Sequence, residues 1–204
     1  MQAKRSYGYK DLDHLVEHPP KQLQFTIELL QVEDAMEVDK EIWLMNEEEM
    51  KQTYPICKQE GNQLFYKKLY QKASIKYRKA LAILEELMMR EKPNDEDWIK
   101  LDKAKIPLLS NLAQCELFLD DYYQALLHID EVIEKDPNNV KALFRRAKAN
   151  AAVWNVTEAK NDFTKVAQLE SNLVPLVNEQ LLKLHQKVKE KNAKDLNLLK
   201  GKLF

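Results

Sequence analysis

Small side chains recur in this chain at a fixed interval. Ala113 returns as Ala147, Ala125 as Ala159 and Val132 as Val166, each pair 34 residues apart. A period of this size marks a chain built from stacked copies of one supersecondary unit, none of which can bury its apolar face alone. Gly61, Ala73 and Ala80 make an earlier copy with the same internal spacing, but Gly61 precedes Ala113 by 52 residues, leaving about 18 over.

The unit is helical. Only three glycines occur in 204 residues, and Leu, Ala, Lys, Glu and Gln dominate, so strongly helix-forming stretches are joined by short polar turns. From Asn46 onward the apolar period is that of a helix, and the pattern predicts helices over 46–68, 71–91, 95–119, 122–135, 140–152, 156–169 and 173–200. Asn46 with Glu49 predicts a capping pair at the first start, and Lys67-Lys68 a cationic end. Asp136-Pro137-Asn138-Asn139 is a turn. The surplus residues predict a longer helix pair around Arg90 to Asp102, turning at Pro93-Asn94-Asp95.

One stretch has another period. Leu23, Phe25, Ile27 and Leu29 alternate with polar residues after Pro19-Pro20, which predicts a half-buried strand within about 22–32. A lone strand leaves its backbone groups unpaired. Residues 1–35 are therefore expected to be the tail of a truncated β-containing domain, 36–45 an acidic linker, 46–171 the repeat domain and 172–204 an extended terminal helix.

Small residues at positions 8, 20 and 27 of a 34-residue unit, with Pro137 at 32, form the tetratricopeptide pattern, with repeats starting near 54, 106 and 140. The expected fold class is all-α: three helix-pair repeats in a right-handed solenoid plus a C-terminal capping helix, with a groove lined by the first helix of each repeat. Those first helices carry Lys58 and Asn62, then Asn111, then Lys141 and Arg145. The set resembles the dicarboxylate clamp of chaperone-binding tetratricopeptide domains. Lys and Arg supply cationic donors to a peptide ending in Asp, and Asn amides bond both carboxylate and backbone.

The resemblance narrows over nearly the whole chain. Trp43 with Met45-Asn46-Glu47-Glu48, then Gln59-Glu60-Gly61-Asn62, Asp97-Trp98-Ile99-Lys100-Leu101-Asp102 and Ala151-Ala152-Val153-Trp154-Asn155 are similar to the aryl hydrocarbon receptor-interacting protein family. That resemblance implies an FKBP-like domain, of which residues 1–35 would be the last strand. It also implies a non-catalytic co-chaperone that docks the Glu-Glu-Val-Asp tails of the ninety-kilodalton and seventy-kilodalton heat-shock protein chaperones. A client such as the aryl hydrocarbon receptor or a phosphodiesterase would meet the terminal helix. In some members the first clamp position is not Lys, so Lys58 brings this clamp nearer the general co-chaperone form.

In the terminal helix, Pro175 suits a first turn after a cap at Asn172, and Leu176, Leu181, Leu184 and Val188 are expected to seal the solenoid. Residues 172–204 hold seven lysines against Glu179, Glu190 and Asp195, and Leu196, Leu199, Leu203 and Phe204 are the expected client contacts.

Other chemistries are excluded or weak. Isolated glycines rule out a phosphate-cradling loop, a dinucleotide fingerprint and a nucleophile elbow. Glu47-Glu48-Glu49 reads as first-turn charge, so no catalytic residue is assigned. His14 and His18 lack a third ligand and His128 and His185 are lone, so no metal and no cofactor is expected. With 32 Lys plus Arg against 33 Asp plus Glu the net charge is −1, and the cluster Lys141, Arg145, Arg146 and Lys148 has no interleaved aromatics, so neither nucleic acid nor membrane is an expected partner. Cys57 and Cys115 read as buried hydrophobes in a reducing compartment, and a cytoplasmic or nuclear monomer is expected. The rival readings are a peptidyl-prolyl isomerase relative whose catalytic domain is missing here, and a receptor for acidic C-termini at the mitochondrial import machinery.

Overall fold

A computed structural model describes residues 41–203, with side chains through residue 198. Seven α-helices follow one another among the described residues: α1 Glu47–Tyr66, α2 Tyr70–Arg90, α3 Glu96–Phe118, α4 Tyr122–Lys135, α5 Val140–Ala152, α6 Val156–Leu169 and α7 Val174–Leu203. Each packs on the next in sequence, and α3 also meets α5. That is the stacking of a right-handed tetratricopeptide solenoid, in which α1, α3 and α5 are first helices and α2, α4 and α6 second helices. The predicted strand lies outside the described residues.

Local chemistry sets the helix starts. Asn46 Oδ1 accepts from the Glu49 amide at 2.9 Å while Glu49 Oε2 accepts from the Asn46 amide at 2.8 Å, a complete capping box. Asp95 caps α3 through the Trp98 amide at 2.8 Å, and Asn139 caps α5 through the Ala142 amide at 3.0 Å. The cationic end of the first helix forms differently: α1 stops at Tyr66, and Lys67 and Lys68 make the turn.

All three turns from first to second helix share one geometry. Lys68, Asp120 and Trp154 have φ of 60°, 59° and 67°. Behind them the amides of Leu69, Asp121 and Asn155 return to the carbonyls of Leu64, Glu116 and Asn150 at 3.0, 2.9 and 2.9 Å. This six-residue closure around a left-handed residue is the Schellman motif, built here three times without glycine.

The recurrent small residues lie where the helices of a pair touch. Ala73, Ala80, Ala113, Ala125, Val132, Ala147, Ala159 and Val166 are all at 0% exposure. At Gly61 an added Cβ would sit 2.7 Å from Tyr77 Cε1, so the Tyr77 ring occupies the space a side chain would need. One apolar cluster runs from Cys57 through Tyr77, Leu84, Leu108 and Leu112 to Ile129 and Val132. A second joins Leu143, Ala147, Phe163 and Val166 to Val177 of α7.

The residues beyond the repeat period extend α2 and α3 past the ordinary hairpin. Ile83 and Leu87 bury Met45 and Met50, with Ile42 and Leu101 against them, so the overhang covers the start of α1.

Buried ions tie consecutive helices. Glu116 of α3, fully buried, accepts from Arg78 Nη2 of α2 at 2.9 Å and contacts His128 Nδ1 of α4 at 2.8 Å. Lys105 of α3 bridges Glu85 of α2 and Glu131 of α4 at 3.1 and 3.0 Å. Burial alone would lower the Lys105 pKa, but the two carboxylates outweigh it and raise it.

The terminal helix corrects two sequence expectations. A 3₁₀ turn, Ser171–Leu173, replaces the cap expected at Asn172, and α7 starts at Val174 with Pro175 in its first turn. Leu176 is 40% exposed, and Val177 supplies the buried contact in its place, followed by Leu181 and Leu184.

Candidate peptide groove

The three first helices carry the five predicted residues, and one direct contact among them, between Asn62 and Asn111, joins α1 to α3. On α1, Lys58 and Asn62 are one turn apart and therefore share a face. Asn62 Oδ1 accepts from Asn111 Nδ2 of α3 at 3.2 Å and from the Tyr77 hydroxyl of α2 at 2.8 Å. With both lone pairs of that oxygen taken, the amide N–H groups of Asn62 are its available donors. Burial pushes the Tyr77 hydroxyl up to about 12, partly offset by the nearby Asn111 amide, so it stays a neutral donor that fixes Asn62.

On α5, Lys141 and Arg145 are again one turn apart. Arg145 Nε donates to Gln114 Oε1 of α3 at 2.7 Å and Nη1 donates to Ser110 Oγ. Ser110 and Gln114 flank Asn111 in sequence, so α1–α3 and α3–α5 contacts meet at this short stretch of α3. Burial lowers the Arg145 pKa, yet a guanidinium stays charged throughout the ordinary pH range.

Charge compensation separates Arg145 from its neighbour. Arg146 donates to both oxygens of Asp162 at 2.8 Å and to Asp130 at 2.9 Å, which raises its pKa. Arg145 has only neutral partners among the described residues, and Lys58 and Lys141 form no ion pair there. This corrects the cationic cluster read from sequence. One step along α5 is about 100°, so Arg146 leaves the groove face and cross-links α4 and α6.

The sequence pattern missed the supports: Tyr77 behind Asn62, and Ser110 and Gln114 behind Arg145. Tyr77 carries a signal, because it occupies repeat position 24, where Phe163 stands in the third repeat, and adds a hydroxyl. Ser110 and Gln114 carry none.

Of the proposed client contacts, Leu196 is 52% exposed on α7. Leu199 and Leu203 fall within α7, their side chains beyond those described, and Phe204 lies outside the described residues. No group of His, Cys, Asp and Glu among the described residues is arranged to hold a metal ion. Nor is any described helix long and apolar enough to cross a membrane.

No family model matches the chain. Aryl-hydrocarbon-interacting protein-like 1 of Bos taurus is 40% identical over 195 residues, which are 96% of this chain and 59% of that protein. The Mus musculus protein is 39% identical over the same share. The chain thus spans about three-fifths of the length of these relatives. Among solved structures, the C-terminal tetratricopeptide domain of an FK506-binding protein from Plasmodium falciparum is 29% identical with a TM-score of 0.64, covering 75% of this chain and 99% of that one. The first tetratricopeptide domain of Spaghetti, solved with an HSP90 peptide, shares the fold at 23% identity and a TM-score of 0.53, covering 68% of this chain and 94% of that one. The chain, a tetratricopeptide solenoid in which these family relatives match almost every segment, belongs to the aryl hydrocarbon receptor-interacting protein family.

Proposed function

We propose that this chain is a non-catalytic co-chaperone module whose groove captures the C-terminal dicarboxylate tail of a heat-shock protein chaperone, of the ninety-kilodalton or seventy-kilodalton class. The observation that carries the reading is Arg145. Among the described residues this part-buried guanidinium has neutral partners and no carboxylate, an arrangement that an incoming anion stabilises. Lys58 and Lys141 form no ion pair among the described residues, and Asn62 and Asn111 add amide groups. A peptide ending in Asp brings two carboxylates to this row. Charge-assisted bonds of roughly 1.5–3 kcal/mol each sum to micromolar affinity, near −8 kcal/mol.

A solved neighbour of the same fold supports the reading. The Spaghetti domain holds its HSP90 peptide on the same fold, whereas the assignment for this chain rests on its own five side chains. The exposed end of α7 around Leu196 is the proposed contact for a client such as the aryl hydrocarbon receptor or a phosphodiesterase. The protein is proposed to act in the cytoplasm or nucleus, where the free thiols Cys57 and Cys115 stay reduced.

Calorimetric titration with a peptide ending in Met-Glu-Glu-Val-Asp, beside the same peptide amidated at its C-terminus, tests the groove. Micromolar binding that disappears on amidation, and again in Lys141→Ala, is the expected result. Equal binding of both peptides, or none, overturns it. For the client, deleting the last five residues while client binding persists would sink the assignment to α7.

A further inference from the structure

The row of cations continues past Arg145. Gln114, which accepts from Arg145 Nε, also lines a cleft of about 530 Å³ between α3, α5 and α7. Apolar groups including Leu117, Phe118 and Leu184 line it, together with Lys148 from α5 and Lys183 and Lys187 from α7; Glu190 is the one acid in the lining. Lys148 and Lys187 form no ion pair among the described residues. Lys183 pairs with Glu179 one turn away, an exposed pair that gives way readily.

Lys141, Arg145 and Lys148 stand on successive turns of one face of α5. The rise from the first to the last is about 10 Å, roughly three residues of an extended peptide. A chain anchored by its end at Lys141 and Arg145 therefore reaches the cleft within a few residues, and it meets an environment of apolar contacts and excess positive charge.

We infer that the cleft is a second subsite for the same peptide, selecting acidic side chains three to five residues before its terminal one. Lys183 and Lys187 on the terminal helix determine that specificity. The inference rests on the groove reading above. It commits to one occupant because the cleft shares Gln114 with the clamp and its charge is complementary to an acidic chain. It also gives α7 a role in peptide choice that the five-residue clamp lacks.

Two peptides test it on the whole chain. Both end in Glu-Val-Asp; one carries glutamates and the other glutamines at the third to fifth residues before the last. Titration in low salt is expected to show the glutamate peptide binding roughly five-fold more tightly, the effect of two or three exposed charge pairs. In Lys183→Gln combined with Lys187→Gln that gap closes. Both lysines are solvent-facing, and a thermal melt matching the parent chain confirms that the variant is folded. A gap that is absent from the parent chain, or that persists in the variant, overturns the inference while leaving the clamp standing. Failure of both peptides to bind overturns the clamp reading and this one with it.

Discussion

Tyr77 touches the groove and the core at once: its hydroxyl donates to Asn62 Oδ1 at 2.8 Å, while its ring fills the space beside Gly61. The two contacts are separable by mutation. Tyr77→Phe keeps the ring and removes the donor, so it is expected to cost about 1 kcal/mol in urea unfolding and to weaken peptide binding through a loosened Asn62. Gly61→Ala attacks the other contact. Tyr77 is 1% exposed and backed by Cys57 and Leu81, so it cannot yield, and the variant should lose about 1–3 kcal/mol despite alanine's better helix propensity.

The adjacent arginines of α5 should respond oppositely. Arg146→Ala strands the buried Asp162 carboxylate and is expected to cost about 3–5 kcal/mol of stability. Arg145→Ala removes a charge that no carboxylate among the described residues compensates, so thermal stability should change by less than about 1 kcal/mol while binding of the terminal carboxylate is lost. Thermal melts and titrations of both variants check the crossing.

Alkaline pH should unfold the first two repeats. Burial, with the neighbouring Glu116 charge adding to it, pushes the Cys115 thiol from 9.0 up to about 12, and burial pushes the Tyr77 hydroxyl from 10.0 up to about 12. Both groups are folded in their neutral forms. Their contribution is complete below pH 9 and is lost progressively as pH rises from there toward 12. Circular dichroism against pH reads the loss. Cys115 should also resist a thiol reagent at pH 8 until denaturant is added, since it is fully buried and protonated.

The left-handed turn residues offer a stabilising change. Asp120 holds φ of 59° in an exposed position. Asp120→Gly removes a conformational cost of about 1–2 kcal/mol and adds a smaller unfolded-state entropy cost, so a net gain of roughly 0.5–1 kcal/mol is expected in thermal unfolding. The substitution also removes the hydrogen bond that the Tyr122 hydroxyl donates to the Asp120 carboxylate, a solvent-facing bond that water replaces.

Helices were legible because periodicity and capping agree. Asn46, Asp95 and Asn139 announce three starts, and the small residues place the pair contacts. The faces shared by Lys58 with Asn62 and by Lys141 with Arg145 were legible for the same reason, since side chains one turn apart on a helix must share a face. What escaped was whatever depends on partners brought together by the stack. Arg145 and Arg146 look alike in sequence, and only the helix rotation gives Asp130 and Asp162 to one and neutral groups to the other. Glu116 and His128 carry no pattern, yet with Arg78 they join three helices. The turn residues escaped because glycine, the usual sign of a left-handed position, is absent from all three. Leu176 and Val177 exchanged places because the 3₁₀ turn resets the phase of α7.

The overhang of α2 and α3 bears on how the stack comes apart. A row of hairpins behaves as a one-dimensional array in which end units have one neighbour each and fray first. Here Ile83 and Leu87 of α2 and Leu101 of α3 pack with Met50 of α1 and with Met45 before it, so the first described hairpin is tied to the segment that leads into it. At the other side of the described stack, α7 rests on α5 and α6 through Val177 and Leu181. Among the described residues the two ends are therefore held unequally, and local opening is expected to begin at α7, the wall of the proposed peptide cleft, rather than at the interlocked start of α1.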